Sequence, residues 1–322
     1  MFYGKPAQRG ARICLGVCTF KRPHMLAECL ASLARMQVPS RDSLFVVVAD
    51  NNRQPVEQGL VDRFGDGDRA FIHVHERRQG IAFARNAILT KAREIGAEWV
   101  AMVDDDQQVP EGWLQEMMGA QRATGADVVR SSIDWVYPEP APRWAFPKTR
   151  NTGWRYGLRH AATNGVLFRA RIQDASGKLL WFDDHWALTG SEDRDFFRRA
   201  SHAGASIVQT PDAVIREFLP AEKLSFSYQV HRDYCIGATE ACQDARFYGL
   251  LLGMLKKSVR ATSWLAGGIG RLALSAPMLP VSVRRSRKLC LDGSKRLAKA
   301  AGTIAGLSGL AHPELYRNVH GG

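Results

Sequence analysis

Cysteine is scarce in this chain of 322 residues, and its spacing excludes the common cysteine frameworks. There are six cysteines and no C-x-x-C pair of the kind that zinc ribbons and redox motifs carry. We therefore predict reduced thiols, packed for the most part in the interior, and neither disulfides nor a structural zinc site. The residues concerned are Cys14, Cys18, Cys29, Cys235, Cys242 and Cys290.

Long apolar runs are also missing. The first twelve residues, MFYGKPAQRGAR, lack the apolar stretch of a secretory signal, which predicts a cytoplasmic protein. Within residues 247–283, the longest uncharged run, residues 272–283, is well short of the roughly 20 residues that span a bilayer. With 45% hydrophobic and 24% charged residues, the composition instead suits a globular protein with a sizeable core.

Acidic residues are absent between residues 245 and 291, where basic residues are frequent. Residues 236–322 contain 13 lysines and arginines against 4 acidic residues, which accounts for most of the formal net charge of +12. Basic, interrupted apolar helices of this kind are typical of segments that lie on an anionic membrane surface, here the inner face of the cell membrane. Two alternatives stay open for the tail: packing against the rest of the protein, or the interface of a homodimer.

High basicity also permits a nucleic-acid-binding protein. The chain contains no zinc finger, no helix-turn-helix signature and no aromatic RNA-recognition motif. We therefore expect no nucleic acid partner and keep this function as an alternative to an enzyme.

The first half of the chain alternates strand-like and helix-like segments, which predicts an α/β fold with a doubly wound, mostly parallel, Rossmann-like sheet. Pro, Trp and Arg are frequent at residues 137–154, which predicts an irregular loop over a site. Apolar runs predict strands at residues 13–20, 44–50, 71–75, 99–106, 165–170 and 205–209. Apolar spacing predicts helices after Pro23 and Pro110 and at residues 81–96, 191–203 and 224–249.

Polar residues follow the first, second and fourth predicted strands, at 19–22, 50–53 and 104–106. Parallel sheets of this type bind ligands at the carboxyl ends of their strands. We therefore expect these three groups to meet at one edge of the sheet.

Three adjacent carboxylates, Asp104, Asp105 and Asp106, end the fourth predicted strand. Nothing in fold stability requires three charges that repel one another at the end of an apolar strand. Carboxylate oxygens suit Mg²⁺ or Mn²⁺, which would relieve that repulsion and bind substrate phosphates as well. The alternative is a solvated acidic turn.

The segment GSEDRDFFRRA, residues 190–200, opens a predicted helix with Glu192, Asp193 and Asp195. Ser191 can cap this helix and acidic residues favour a first turn, so a purely structural role is an open alternative. A carboxylate here could instead serve as a general base. Arginines around another helix start, RRQGIAFARN, offer a diphosphate neighbourhood, with solvated arginines on an ordinary helix as the alternative.

The segments CTFKRP, VVVADNN, QGIAFARN, VDDD and TGSEDRDFFRRA occur in this order and spacing, and together they resemble a family 2 glycosyltransferase of the GT-A fold. The resemblance covers about residues 13–237, which implies a catalytic domain at 1–237 and a helical, basic, membrane-associating region at 238–322. The ending FLPAEKLSFSYQVHRDYCIGAT resembles the bacterial exopolysaccharide branch of succinoglycan-type glucosyltransferases.

The resemblance implies a role for each matching residue. The expected donor-binding residues, around the uracil, ribose and diphosphate, are Thr19, Arg22, Asp50, Asn52, Arg85, Asp104 and Asp105. Asp104 and Asp106 correspond to the two carboxylates of the D-x-D motif, and Asp106 holds the metal. Asp193 corresponds to the catalytic base, with Glu192 beside it. Glu217 stands where many relatives carry a histidine that binds the metal, so either Glu217 substitutes or the metal lacks that ligand.

These roles imply an inverting glycosyltransferase that depends on Mg²⁺ or Mn²⁺. The donor implied is a UDP-sugar, UDP-glucose by resemblance, and the acceptor is a saccharide or a lipid-linked saccharide. A nucleotidyltransferase acting on sugar phosphates is a further alternative. Those enzymes usually carry a glycine-rich loop after the first strand, where this chain has CTFKRP.

Overall fold

The computed structural model describes residues 10–56, 58–65, 69–140 and 153–308. Strands and helices alternate up to α5, and three long helices follow. The strands are β1 (Arg12–Thr19), β2 (Ser43–Asp50), β3 (Ala70–His75), β4 (Trp99–Asp104), β5 (Gln107–Gln108), β6 (Val128–Val136), β7 (Val166–Arg169) and β8 (Ile207–Phe218). The helices are α1 (Pro23–Arg35), α2 (Gln58–Asp62), α3 (Ile81–Glu94), α4 (Trp113–Thr124), α5 (Glu192–His202), α6 (Phe226–Tyr248), α7 (Leu250–Met278) and α8 (Val283–Leu307).

The described strands form one sheet in the order β3-β2-β1-β4-β7-β6-β8-β5. The first four strands along the chain pair in parallel, as predicted. Strand β7 runs antiparallel to β4 and β6, and β5 runs antiparallel to β8, so the sheet is mixed. Apolar periodicity reports which residues are buried, not strand direction, and therefore could not reveal β7 and β5 as antiparallel.

Apolar layers cover both faces of the sheet, which confirms the doubly wound architecture. Leu30 of α1 and Met117 of α4 belong to the layer on one face. Ile88 of α3 and Phe196 of α5 belong to the layer on the other. Burial on both sides explains why β1 and β2 read as continuous apolar runs. Gly16 of β1 leaves space for Ile88, since an added Cβ would overlap that side chain.

Several boundaries differ from the sequence predictions. Strand β6 was not predicted, because its apolar start soon gives way to polar residues. Strand β8 extends to Phe218 because it follows β6 as a parallel partner beyond an irregularity. Helix α4 begins at Trp113, after a turn that contains Pro110. Most of the predicted loop over the site, residues 141–152, lies outside the described residues. All six cysteines are free thiols, as predicted.

The last three helices pack on one another. Glycines allow α6 and α8 to approach closely, because an added Cβ at Gly302 or Gly306 would overlap the backbone of Tyr234 or Ala238. Gly237, at the end of the predicted catalytic domain, lies in the middle of α6, so a domain boundary at 237 would cut a continuous helix. Across the described ranges, the structure shows no helix that is both long and apolar enough to cross a membrane.

Candidate active site

The carboxyl ends of β1, β2 and β4 meet, as the sequence predicts. Thr19 pairs with Asp50 across β1 and β2, and Cys18 pairs with Asp104 across β1 and β4. The hydroxyl of Thr19 donates to Asp105 Oδ2 at 3.0 Å. The three polar segments therefore form one edge of the sheet, where a doubly wound fold binds its ligand.

Asp50 organises the loop that follows β2. Its Oδ1 accepts hydrogen bonds from the backbone and side-chain nitrogens of Asn52, at 2.9 and 2.7 Å. Its Oδ2 accepts from the Val56 backbone at 2.6 Å and faces His73 Nε2 at 3.2 Å. The carboxylate is fully buried and engaged by protein groups, so a contact between Asp50 or Asn52 and a nucleotide stays a prediction.

Asn51 was not predicted to have a role, although it lies between Asp50 and Asn52. Its amide donates to the carbonyl oxygens of Glu76 and Arg78 at 2.9 and 2.7 Å. The Gly80 backbone donates to its Oδ1 at 2.7 Å. Asn51 thereby ties the end of β2 to the start of α3. The Asp-Asn-Asn ending of β2 is the signal that could have identified it.

Asp105 and Asp106 face basic side chains. Arg22 Nη1 lies 3.1 Å from Asp105 Oδ1 and 3.4 Å from Asp106 Oδ2. Lys223 Nζ lies 2.9 Å from Asp106 Oδ2. Burial raises the pKa of Asp105 to about 6 although Arg22 opposes that rise. Asp105 thus accepts a hydrogen bond from Thr19 and pairs with Arg22. A contact between Asp105 and the donor stays a prediction.

Lys223 was missed from the sequence, although the segment FLPAEKL that contains it was noted. It lies in a 3-10 turn after β8, and only the tertiary fold brings it to Asp106. Burial by itself would lower the pKa of Lys223, but the charge and hydrogen bond of Asp106, together with the charge of Glu217, raise it overall. The ammonium group therefore stays charged at the edge of the site.

Asp104 is the most accessible of the three carboxylates, with 38% of its side chain exposed. Arg85 Nη2 lies 3.8 Å from its Oδ1, and the same guanidinium pairs with Glu192. The surrounding protein desolvates Asp104 and raises its pKa to about 6, with Arg85 opposing this and Asp106 adding to it. Arg85 therefore joins β4 to the start of α5. Because protein carboxylates already engage its guanidinium, contact with a donor diphosphate stays a prediction.

The three acidic residues at the start of α5 have different surroundings. Glu192 is buried and pairs with Arg85. Asp195 pairs with Arg198 and Arg199 at 3.3 and 2.8 Å. Asp193 is half-buried and, within the described ranges, no lysine or arginine lies within 4 Å of its carboxylate. Asp193 is therefore the carboxylate of this group that remains available to a substrate.

The capping interpretation of this segment is wrong. Ser191 precedes α5 with a φ of 64°, in the left-handed region, and its side chain makes no capping hydrogen bond. A side-chain cap normally requires extended backbone at that position. The acidic run therefore does not serve a serine-capped helix start.

Helices α6 and α7 hold the start of α5 in place. Gln243 Nε2 donates to the Ser191 carbonyl at 2.7 Å, and Arg194 Nη1 donates to Gln243 Oε1 at 2.8 Å. Asp244 pairs with Arg194 at 3.0 Å, and Lys257 Nζ lies 3.0 Å from the same carboxylate. Lys257 is fully buried. The basic tail thus supports the segment that carries Asp193, which no local sequence pattern could show.

Glu217 lies at the far end of the same edge. Its Oε2 accepts from Gln107 Nε2 and Asn164 Nδ2, both at 3.3 Å. Burial, together with the charges of Asp106 and Asp104, raises the pKa of Glu217 to about 7. The charges of both aspartates thus act on Glu217, and a contact between Glu217 and a metal stays a prediction.

The predicted metal ligands do not form a ready-made cage. No cluster of three or more metal-binding side chains occurs in residues 10–56, 58–65, 69–140 and 153–308. Asp104, Asp106 and Glu217 nevertheless supply hard oxygen donors, and their mutual repulsion indicates a local excess of negative charge. Mg²⁺ usually takes one or two carboxylates and completes its shell with water and phosphate oxygens. The residues present fit that arrangement.

The structure resembles solved glycosyltransferases. A mannosyltransferase from Pyrobaculum calidifontis, PcManGT, solved with GDP-Man and Mn²⁺, superposes with a TM-score of 0.58 and 17% identity, over 93% of this chain and 88% of that one. GalNAc-T7, solved with UDP, GalNAc and Mn²⁺, gives a TM-score of 0.51 and 10% identity, over 78% and 55% of the two chains. At these identities the likeness shows the fold, which is GT-A.

Sequence comparisons agree with that fold. The succinoglycan biosynthesis protein ExoM of Rhizobium meliloti (strain 1021) is 32% identical over 312 residues, which is 94% of each chain. The family model for glycosyl transferase family 2 matches residues 14–189, more than half of the chain, and ends just before Glu192 and Asp193. Together with the converging edge of β1, β2 and β4, these matches show that the chain belongs to glycosyl transferase family 2.

Proposed function

We propose that this glycosyltransferase inverts the anomeric centre of a nucleotide-sugar donor, with Asp193 as the general base. The observation that carries the proposal is the available carboxylate of Asp193 beside the end of β4. Asp193 lies close enough to Asp104 for its charge to raise the pKa of that carboxyl. An acceptor hydroxyl placed between them can lose its proton to Asp193 as it attacks the anomeric carbon. Direct displacement of this kind inverts the anomeric configuration.

Residues of this edge would hold the leaving nucleoside diphosphate. Asp104 and Asp106, with Glu217 nearby, would hold Mg²⁺ or Mn²⁺, and the ion would stabilise the negative charge of the departing diphosphate. Arg22 and Lys223 contribute fixed positive charge at Asp106. Thr19, Asp50, Asn52 and Asp105 form the base of this edge, where the nucleoside would lie. Glu192 keeps Arg85 in place and thereby positions Asp104.

The substrates proposed rest on the relatives. The chain resembles a succinoglycan biosynthesis protein, so we infer a saccharide acceptor in polysaccharide synthesis, with a lipid-linked saccharide as the specific candidate. UDP-glucose is the first donor to test. The GT-A relatives were solved with GDP-Man in one case and with UDP in the other, so guanosine donors belong in the same panel.

The experiment is a panel of UDP- and GDP-sugars, with and without Mn²⁺ or Mg²⁺, scored by release of nucleoside diphosphate. We expect slow, metal-dependent hydrolysis of one UDP-sugar even without acceptor. With an acceptor present, proton NMR should show a product of opposite anomeric configuration to the donor. Retention of configuration would contradict the base role of Asp193, and release without added metal after chelation would contradict the metal.

We also propose that the protein works at the inner face of the cell membrane as a peripheral protein. The first half of α7 exposes an apolar stripe at helical spacing, in which Leu251 is 84%, Leu255 65% and Val259 65% exposed. Exposed arginines continue the surface, at Arg260 and at the start of α8. Apolar side chains flanked by basic ones match an anionic lipid interface. A dimer of two such surfaces is the alternative outcome.

We place the boundary of the catalytic domain before α6, near residue 225.

A further inference from the structure

Beside the site, a row of three residues crosses adjacent chain segments. Arg130 of β6 is in register with Gln209 of β8, and Arg155 forms an antiparallel bridge with the same glutamine. Backbone hydrogen bonds of 3.1 and 2.8 Å between Arg155 and Gln209 fix this bridge. Residues in register have side chains on the same face of a sheet, so the three side chains form one row.

The row lies on the face of the sheet that carries α5. Val128 and Ile207 precede Arg130 and Gln209 by two residues, and both belong to the apolar layer that contains Phe196 of α5. Alternation along a strand then places Arg130 and Gln209 on that face, just beyond the apolar layer. The start of α5, with Asp193, covers the same region. Burial lowers the pKa of Arg130, and the charge of Asp193 opposes that shift without cancelling it.

Polar groups in the row lack partners. Within the described ranges, neither Arg130 nor Arg155 has a carboxylate within 4 Å, although Arg130 is half-buried. Gln209 is 5% exposed, and its Oε1 has no hydrogen-bond partner there. A half-buried guanidinium without a counter-ion and a buried amide without a full set of hydrogen bonds both cost folding free energy. Such costs are concentrated where a ligand completes the set.

We propose that Arg130, Gln209 and Arg155 form an acceptor subsite for a negatively charged group on the saccharide. Two guanidinium groups suit a phosphate or carboxylate, and the glutamine amide can bond a neighbouring sugar hydroxyl. The anionic group is held next to Asp193, while the hydroxyl to be glycosylated reaches its carboxylate. The chemistry fits a diphosphate at the reducing end of the acceptor or an acidic sugar within it. This inference rests on the proposed role of Asp193.

The test measures binding to the full chain loaded with UDP and Mg²⁺, so that the donor site is occupied. Methyl diphosphate and glucuronate are titrated calorimetrically as probes for the two sources of negative charge. We expect one of them to bind, and the R130Q/R155Q double variant to bind it at least 10-fold more weakly. Arg159→Gln, an exposed arginine of the same segment outside the row, removes the same charge and should leave binding unchanged.

The identity of the bound probe separates a phosphate-linked acceptor from an acidic sugar. No binding of either probe, or equal binding by the double variant, would overturn the proposal. Arg155→Gln alone changes an exposed side chain, so it keeps the test valid if Arg130→Gln fails to fold. UDP affinity and donor hydrolysis of the wild-type protein are measured in the same preparation. Their absence refutes the proposed function, whereas their presence without probe binding refutes only the subsite.

Discussion

At the start of α5, three neighbouring carboxylates have three different surroundings. Glu192 pairs with Arg85, and Asp195 pairs with Arg198 and Arg199. Asp193 accepts one hydrogen bond, from the Arg194 backbone at 2.6 Å. A carboxylate that already balances a buried arginine cannot take up a proton without leaving that arginine unpaired. Asp193 balances no arginine in this way, which supports its proposed role as the base.

Asp193→Asn keeps the shape of the side chain and removes its ability to accept a proton. We expect sugar transfer to fall by about 10³-fold, which is within the range for loss of a general base. Metal-dependent affinity for UDP should stay unchanged, since the proposed donor site is at the other carboxylates. Transfer rates and UDP titrations on the same preparation check both statements, and normal transfer by this variant would refute the assignment.

Asp106→Ala removes a carboxylate that faces both Arg22 and Lys223. The two freed cations can then bind diphosphate by themselves, so we expect metal-free UDP affinity to persist and its enhancement by Mn²⁺ to disappear. Calorimetric titration of UDP with and without Mn²⁺ measures the difference. Enhancement equal to that of the wild type would show that Asp106 holds no metal.

At the scale of elements, the start of α5 depends on groups outside that helix. Its first residue follows Gly190 and Ser191, which both have left-handed backbone, and the Ser191 side chain makes no capping hydrogen bond. The fixed points are Gln243 of α6, which binds the Ser191 carbonyl, and the cluster around Asp244. The tail helices therefore position the catalytic segment.

Ser191→Ala tests the helix start. Because the hydroxyl makes no capping hydrogen bond, we expect the free energy of unfolding to change by less than about 0.5 kcal/mol, whereas loss of a true cap costs about 1 kcal/mol. Urea denaturation of the two proteins measures the change. A loss near the larger value would restore the capping interpretation.

Gln243→Leu removes the hydrogen bonds to Ser191 and Arg194 from α6. Asp193 should lose its fixed position, and we expect kcat to fall by about 10-fold while KM for the donor stays unchanged. Gln229→Leu, on the same helix and away from α5, serves as the control. Equal kinetics for the two variants would mean that α6 does not position the base.

At the scale of the whole molecule, the basic tail both supports α5 and exposes an apolar stripe. A deletion of the tail would not separate these two roles. Lys257 belongs to the buried cluster that supports α5, whereas the apolar stripe of the same helix faces outward. Removing the chain after residue 253 would eliminate Lys257 together with most of the stripe. Substitutions on the exposed stripe separate membrane binding from catalysis.

The double variant Leu251→Asp and Leu255→Asp places two negative charges in the exposed stripe. We expect it to lose sedimentation with vesicles rich in phosphatidylglycerol, because apolar burial and attraction to the anionic surface both fall. Tyr156→Asp, a 65% exposed aromatic residue of the catalytic part, is the control and should sediment as the wild type does. Unchanged sedimentation of the double variant, or a dimer that it dissociates, would favour the packing or dimer role.

Part of this protein follows from the sequence by itself. Apolar runs with polar endings determine where β1, β2 and β4 lie and which ends carry Thr19, Asp50 and Asp104, because burial on both faces imposes a continuous apolar run. Residues that are close in sequence are also close in the fold. The family motifs and the acidic start of α5 could therefore be identified along the chain.

Only the tertiary structure decided which of these groups remains available. Arg85 meets Glu192 and Asp104, Lys223 meets Asp106, and Gln243 meets Ser191 across separations of tens to more than a hundred residues. Such pairings depend on the crossing of elements, which local periodicity does not encode. The availability of the Asp193 carboxylate, the direction of β7 and the support that the tail gives to α5 therefore required the folded chain.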